Sequence, residues 1–103
     1  MKWFQLIGLA ALALIVSTTA WGAGDAGKGK SVYNANCIAC HNPDPSKDGP
    51  VGPALKGSSA ELLKLRVMDA KYPAGYKPKR DTNLMPPLPH LAGNIDDLAA
   101  FLK

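Results

Sequence analysis

Two thiols and an imidazole stand close together in the stretch Cys37-Ile38-Ala39-Cys40-His41. Two cysteines separated by two residues, with a histidine directly after the second, form the attachment pattern for a c-type haem. In that chemistry each thiol adds to one vinyl group of the porphyrin, and the histidine lies below the iron as its ligand. We therefore predict one covalently bound haem c per chain, attached through Cys37 and Cys40 and ligated on one side by His41.

Two other kinds of site could use the same residues. No other cysteine occurs in the sequence, so no disulfide framework competes for the pair. A tetrahedral zinc site takes four ligands, and only His90 could add to the three in the motif. A thioredoxin-like redox dithiol is the second alternative, although no βαβ pattern surrounds the two cysteines. Both stay open at this point.

The N-terminus is typical of an export signal. Lys2 forms a short positive region, and an almost uninterrupted apolar run covers residues 4–16. A stretch of small residues suited to signal peptidase follows, and we expect cleavage after Ala20 or Gly22. An uncleaved membrane anchor is the alternative, although the run is shorter than the ~20 residues that a span needs. Residues 1–22 therefore predict export to the periplasm, which fits because c-type haem is attached on that side of the bacterial membrane.

The remainder of the chain, residues 23–103, is one small domain. Such a chain buries little apolar surface. Both tryptophans, Trp3 and Trp21, lie in the predicted signal at residues 1–22 and not in this domain. We expect the porphyrin to fill the centre and the haem-free chain to be largely unfolded. The formal net charge of +4 is too mild to argue for nucleic acid, and no basic–aromatic interleaving suggests such a partner.

Caps and apolar spacing predict a first and a third helix. The first runs from an N-cap at Asp25 to about Asn36, with Gly29 and Tyr33 on one face. The third begins at an N-cap, Asn94, and continues to the end of the sequence. Its apolar residues follow the i, i+3, i+4, i+7 spacing of a buried helical face: Ile95, Leu98, Ala99 and Leu102.

A second helix is predicted between them. Ser58 and Glu61 have the spacing of a capping box, and the helix should end near Tyr72, ahead of a proline. Its apolar positions include Leu62 and Leu65, and Met68 is expected to pack in the core. Proline-rich loops at residues 42–55 and 73–93 connect the helices, and no stretch shows strand alternation. The fold class is therefore all-α.

Three further pieces of the sequence carry a family resemblance: Gly29-Lys30-Ser31-Val32-Tyr33 ahead of the first cysteine, Gly52-Pro53-Ala54-Leu55, and Asn83-Leu84-Met85-Pro86-Pro87-Leu88-Pro89. With the Cys-His motif, they make nearly all of residues 23–103 similar to the class I monohaem c-type cytochromes, of the small bacterial periplasmic kind. The resemblance implies the cytochrome c fold, in which three main helices and proline-rich loops surround one covalent haem. It also implies that Gly29 and Tyr33 pack against Leu98 and Phe101 of the last helix.

The resemblance also implies the ligands of the iron. The carbonyl of Pro53 would accept a hydrogen bond from His41, which fixes the ring and raises its basicity. Met85 would be the second ligand, and a methionine–histidine pair raises the reduction potential. His90, in the same loop, is the competing ligand and would lower that potential.

A tyrosine-rich and basic segment precedes Met85 at residues 71–80. We expect Tyr72, Tyr76 or Arg80 to reach a haem propionate, and the lysines of this segment to dock an acidic redox partner. The alternative is an ordinary solvated loop. The loop at residues 43–48 departs from the most compact members of the family, so the docking surface beside it is not predicted.

The sequence as a whole favours a periplasmic one-electron carrier rather than an enzyme, because no general acid–base pair or activated nucleophile is recognisable. Its partners would be redox proteins: a donor dehydrogenase and an acceptor oxidase or reductase. Contact with the membrane would be transient, or through an uncleaved signal anchor. Two alternatives are the haem subunit of a multi-subunit oxidoreductase that oxidises sulfur compounds or alcohols, and a small-gas-binding haem protein with a weak Met85 ligand.

Overall fold

Three α-helices and one 3₁₀ helix, connected by loops, form the computed structural model, which describes residues 24–103. The helices are α1 (Ala26–Asn36), α2 (Ala60–Asp69), the 3₁₀ helix Pro89–Asn94 and α3 (Ile95–Leu102). The described residues contain no strand, which confirms the predicted all-α class. The predicted signal at residues 1–22 lies outside them, so cleavage and the domain boundary stay predictions.

Helix α1 begins where the sequence predicts. The carboxylate of Asp25 accepts hydrogen bonds from the N–H groups of Gly27 (2.8 Å) and Lys28 (3.1 Å), so it satisfies two donors that a helix start leaves free. At the other end, the N–H of Cys37 bonds to the carbonyl of Tyr33 at 2.9 Å. The helix therefore ends directly at the first thiol.

Helix α2 differs from the prediction at both ends. Its N-cap is Ser59, whose Oγ accepts from the N–H of Leu62 at 3.1 Å. Glu61 is then the second helical residue and not the third, so the predicted capping box is wrong. The helix ends at Asp69, short of Tyr72, because Ala70 adopts a left-handed conformation with φ 55° and closes the last turn.

The buried face of α2 is also different from the predicted one. The buried residues are Leu63 and Val67, whereas Leu62 and Leu65 are only half-buried. Met68 is half-buried and lies outside the core cluster, so its expected core role is wrong. The reason is that α2 packs against the 3₁₀ helix and α3. This contact buries the face of α2 that carries Leu63 and Val67.

The two ends of the described chain cross closely, as predicted. A Cβ on Gly29 would lie only 2.0 Å from the carbonyl oxygen of Asp97 in α3, so only glycine permits this approach of the two helices. Tyr33 is 1% exposed, and its ring centroid lies 5.3 Å from that of Phe101. The buried core contains Tyr33, Leu63, Val67, Leu91, Ile95, Leu98 and Leu102.

Asn94 occupies the predicted N-cap position of α3, but the predicted capping role of its side chain is wrong. The side chain of Asn94 makes no capping hydrogen bond, and its Nδ2 instead donates to Oδ2 of Asp97 at 3.2 Å. The 3₁₀ helix was not predicted from the sequence. It ends at Asn94 and continues directly into α3, so no loop separates the two helices. Within residues 24–103, no helix is both long and apolar enough to cross a membrane.

Candidate functional site

One cleft, between the helices and the two proline-rich loops, gathers the predicted site residues. It is lined by Cys37, Cys40, His41, Pro53, Tyr72, Tyr76, Arg80 and Met85. Core residues of α2 and α3, among them Leu63, Val67, Leu98 and Leu102, form its apolar wall. His90 and Met68 do not line it. The chain thus brings together residues that are separated by up to half of its length.

The two thiols lie on the turn that follows α1. The N–H groups of Cys40 (3.2 Å) and His41 (2.9 Å) both bond to the carbonyl of Cys37, so the three side chains are held in one tight turn. Both thiols are free, as covalent attachment to a vinyl group requires. Cys40 is exposed, whereas Cys37 is half-buried and burial raises its pKa to about 11.

His41 is the one buried polar residue among residues 24–103, with 7% of its surface exposed. Its Nδ1 lies 2.9 Å from the carbonyl oxygen of Pro53, the hydrogen bond that the family resemblance implied. A carbonyl only accepts, so Nδ1 carries the proton and Nε2 carries the lone pair. Burial, more than any other cause, lowers the pKa of His41 and favours the neutral ring. The ring is therefore prepared to bind a metal through Nε2.

The ring of His41 leaves no room for a side chain at Gly52. A Cβ on Gly52 would lie 2.3 Å from Cε1 of the His41 ring. The N–H groups of Val51 (3.1 Å) and Gly52 (2.8 Å) bond to the carbonyl of Cys40, which fixes this loop against the Cys-His turn. The ring therefore packs closely against the Gly52 backbone.

Met85 and His90 have different environments. Met85 is half-buried, lines the cleft and packs against the core cluster. His90 is exposed and does not line the cleft, although its Nε2 lies 3.5 Å from Oδ1 of Asn36, which does. The loop between them is held to α2 by the bond from the N–H of Leu88 to the carbonyl of Val67, 2.6 Å long. The geometry therefore favours Met85 over His90 as the second ligand.

The donor set of the cleft fits a covalent haem. Two free thiols, an imidazole with a free lone pair and a thioether sulfur line one apolar-walled space. The zinc alternative is not supported, because the described residues hold no group of three or more His, Cys, Asp or Glu placed to bind a metal ion. The dithiol alternative lacks its βαβ unit in residues 24–103.

Four polar side chains line the cleft, and we call them the polar wall: Arg66, Tyr72, Tyr76 and Arg80. The rings of Tyr72 and Tyr76 are stacked, with centroids 5.4 Å apart and planes 15° apart. Arg66 lies over Tyr72, with Cζ 4.2 Å from the ring centroid, and also lines the cleft. The sequence did not identify Arg66 as a site residue. The signal that could have identified it is a cationic residue between the apolar residues Leu65 and Val67 of α2. Arg80 completes the wall and lies 3.8 Å from a carboxylate oxygen of Asp48.

Fold and site together define a small all-α protein built to hold a covalent haem between its helices and loops. The family model described as Cytochrome c matches residues 26–103, so the chain belongs to the cytochrome c family. This confirms the resemblance and the cytochrome c fold, and it makes the protein a haem-c protein of the electron-transfer kind. The comparisons with curated proteins and with solved structures gave no match.

Proposed function

We propose that the protein is a periplasmic one-electron carrier with one haem c per chain, attached through Cys37 and Cys40 and ligated by His41 and Met85. The observation that carries the proposal is the single cleft shared by the two thiols, the imidazole and the thioether. When bound, the haem iron supplies a reversible one-electron couple, and a methionine–histidine ligand pair places it at a high potential.

The residues of the chain orient the group and keep water away from it. Pro53 holds the ring of His41 so that Nε2 faces a fixed position. Pro86 stiffens the loop that presents Met85, so little entropy is lost when the sulfur binds. The apolar wall excludes water, and the rigid surroundings keep the geometry similar in both redox states.

The polar wall would bind the propionates. Tyr72, Tyr76 and Arg80 offer hydroxyl and guanidinium donors on one side of the cleft, and Arg66 adds a second guanidinium. Two cations near the carboxylates would lower the cost of burying them.

Redox proteins would be the partners, a donor dehydrogenase and an acceptor oxidase or reductase. The exposed lysines Lys71, Lys77 and Lys79 lie on the segment that leads to Met85, and Lys79 also lines the cleft. Charges of this kind accelerate the encounter with an acidic partner and lose their effect at high salt. Export rests on the sequence of residues 1–22, and contact with the membrane would be transient or through an uncleaved signal anchor.

The carrier role is favoured over a fixed subunit of a larger oxidoreductase. A permanent interface needs a large exposed apolar patch. Among residues 24–103 the large exposed hydrophobic side chains are Ile38 (39% exposed) and Leu84 (66% exposed). Co-purification of the exported protein with a larger chain would contradict this preference.

An optical spectrum of the purified protein, oxidised and then reduced, tests the proposal. We expect sharp ferrous bands and a far-red methionine–iron band in the oxidised protein. Met85→Ala should abolish the far-red band, whereas the matched control His90→Ala should keep it, because His90 lies outside the cleft. Loss of the band in His90→Ala alone would overturn the ligand assignment, and absence of haem would overturn the function.

Carbon monoxide separates the carrier from a gas binder. The packing of Met85 against the core predicts that the reduced protein does not bind carbon monoxide at neutral pH. Binding under those conditions would show that the second ligand is displaceable.

A further inference from the structure

The peptide group between Pro53 and Ala54 carries hydrogen bonds on both of its polar atoms. Its carbonyl oxygen lies 2.9 Å from Nδ1 of His41. Its N–H donates to Oδ1 of Asp48, also at 2.9 Å. A carboxylate therefore lies one peptide group away from the imidazole, in the chain His41 Nδ1–H, Pro53 C=O, Ala54 N–H, Asp48 carboxylate.

Hydrogen bonds in such a chain polarise one another. When the Ala54 N–H donates to an anion, electron density in the peptide group moves toward the carbonyl oxygen. That oxygen then accepts more strongly from Nδ1–H of His41. Bonds to a charged acceptor are also stronger than bonds between neutral groups, so the effect of Asp48 on this peptide group exceeds that of a neutral acceptor.

The structure holds Asp48 in position from several sides. Its own carbonyl accepts from Nδ2 of Asn42, the residue after His41, at 3.2 Å. Its Oδ2 lies 3.8 Å from Arg80. The carbonyl of Ala54 accepts from Nζ of Lys79 at 2.9 Å, so the segment before Met85 is tied to the same peptide stretch. The carboxylate itself has two partners, the N–H of Ala54 and Arg80, although 68% of its side chain is exposed.

We propose that Asp48 is a positioning residue for His41, acting through the Pro53–Ala54 peptide group to strengthen the bond of Nδ1–H and increase electron donation from Nε2 to the iron. This inference rests on the proposed function, because it assumes that His41 ligates a haem. Outer partners of metal-bound histidines orient the ring and raise its basicity. A more basic ligand favours the ferric state, so Asp48 lowers the reduction potential.

The test compares Asp48→Asn with Asp44→Asn in the haem-loaded protein. Asp44 lies in the same loop, but its carboxylate accepts from the N–H and the hydroxyl of Ser46 and not from the Pro53–Ala54 peptide group. Both substitutions remove one negative charge, but Asp48→Asn also alters the chain to the imidazole and the contact with Arg80. The measurements are the midpoint potential at low and at high salt, and the proton resonance of His41 Nδ1–H in the reduced protein.

We expect Asp48→Asn to raise the potential more than Asp44→Asn does and to move the His41 Nδ1–H resonance upfield. The shift should persist at high salt, because a polarised hydrogen-bond chain is short-ranged, whereas the shift from Asp44→Asn should shrink as salt screens exposed charges. Asp48→Glu keeps the charge and should recover part of the wild-type potential.

Equal and salt-sensitive shifts in the two variants, with the Nδ1–H resonance unmoved, would overturn the inference, since Asp48 would then act only as a surface charge. If Asp48→Asn does not take up haem, hydrogen exchange in the reduced wild type decides: slow exchange of the Ala54 N–H supports the chain, and fast exchange overturns it. A normal wild-type haem spectrum beside either negative result would leave the proposed function intact. Absence of haem from the wild type would overturn both.

Discussion

At the scale of single residues, His41 depends on two neighbours that leave it one orientation. The carbonyl of Pro53 selects the tautomer, because a carbonyl oxygen can only accept. The absence of a side chain on Gly52 lets the ring lie against the backbone. Burial then keeps the ring neutral, so that Nε2 is available as a metal ligand. Each of these effects is local and can be removed separately.

Gly52→Ala is expected to impair haem binding. The new methyl group would lie 2.3 Å from Cε1 of His41, so the ring must move and its bond to Pro53 must lengthen or break. The measurement is the fraction of the purified protein that carries covalent haem, with the far-red band of the oxidised form as a second readout.

Gly93→Ala is the matched control, since a Cβ at Gly93 meets nothing within 4 Å and its φ is not positive. It should bind haem like the wild type. A Gly52→Ala protein with normal haem content and a normal spectrum would show that the close packing of the ring on Gly52 is not required.

At the scale of elements, the contact between α1 and α3 joins the two ends of the described chain. Gly29 permits the approach of the helices, and Tyr33 packs against Phe101 beside it. One polar bond adds to this contact, because the carboxylate of Asp97 accepts from the N–H of Asp25 at 2.8 Å. The same carboxylate also accepts from Asn94, at the start of α3, at 3.2 Å. The crossing places α3 as one wall of the cleft.

Gly29→Ala should destabilise the protein more than any other glycine-to-alanine change on α1. Its Cβ would meet the Asp97 carbonyl at 2.0 Å, which forces the helices apart. Overpacking of this kind costs roughly 1–3 kcal/mol of the free energy of unfolding. Denaturant unfolding of the haem-loaded protein measures it, and Gly27→Ala on the exposed side of α1 is the comparison. Equal midpoints for the two variants would contradict the close crossing.

Asp97 should make the contact sensitive to acid. The hydrogen bond from Asp25, and then that from Asn94, lowers the pKa of Asp97 below its ordinary value of 3.8. A carboxylate with a lowered pKa in the folded state stabilises it above the unfolded pKa, and this stabilisation is lost as the pH falls through the folded value. The melting temperature should therefore fall below about pH 4.

Asp97→Asn tests this assignment, because it removes the titrating group. Its melting temperature should be lower than that of the wild type at neutral pH and should depend less on pH in the acid range. Asp96→Asn, at the exposed neighbouring position, should keep the wild-type pH dependence. The same acid dependence in Asp97→Asn and the wild type would assign the effect to other carboxylates.

At the scale of the whole molecule, the core and the site share their residues. Leu63, Val67, Leu98 and Leu102 belong to the buried cluster and also line the cleft. A chain this short buries little apolar surface of its own. The covalent group would therefore complete the core as well as supply the redox centre.

Removal of the haem should unfold most of the protein. In Cys37→Ala combined with Cys40→Ala, the chain cannot attach the group, and we expect far-UV circular dichroism to show little helix and no cooperative melting. The haem-loaded wild type is the control. A cooperative melting transition in the double variant would show that the described core is sufficient by itself.

Local interactions explain what was predictable from the sequence. The Cys-His motif, the N-cap at Asp25 and the apolar stripe of α3 depend on residues a few positions apart, so spacing alone identified them, whereas the packing of the glycine–tyrosine pair of α1 was implied by the family resemblance. The resemblance added Pro53 and Met85, which lie in the cleft. Of the polar wall, three members were expected and Arg66 was missed, because its position over Tyr72 depends on how the chain turns after α2.

The sequence by itself determined the chemistry of the site, the helical class and two of the three helices, because side-chain identity and short-range spacing are sufficient for each. Only the tertiary structure decided which face of α2 is buried, where α2 ends, that a 3₁₀ helix precedes α3, and that Asp48 reaches His41 through one peptide group. These features arise from contacts between segments distant in the chain, and packing against a distant segment outweighs the weak local preferences that a sequence pattern expresses.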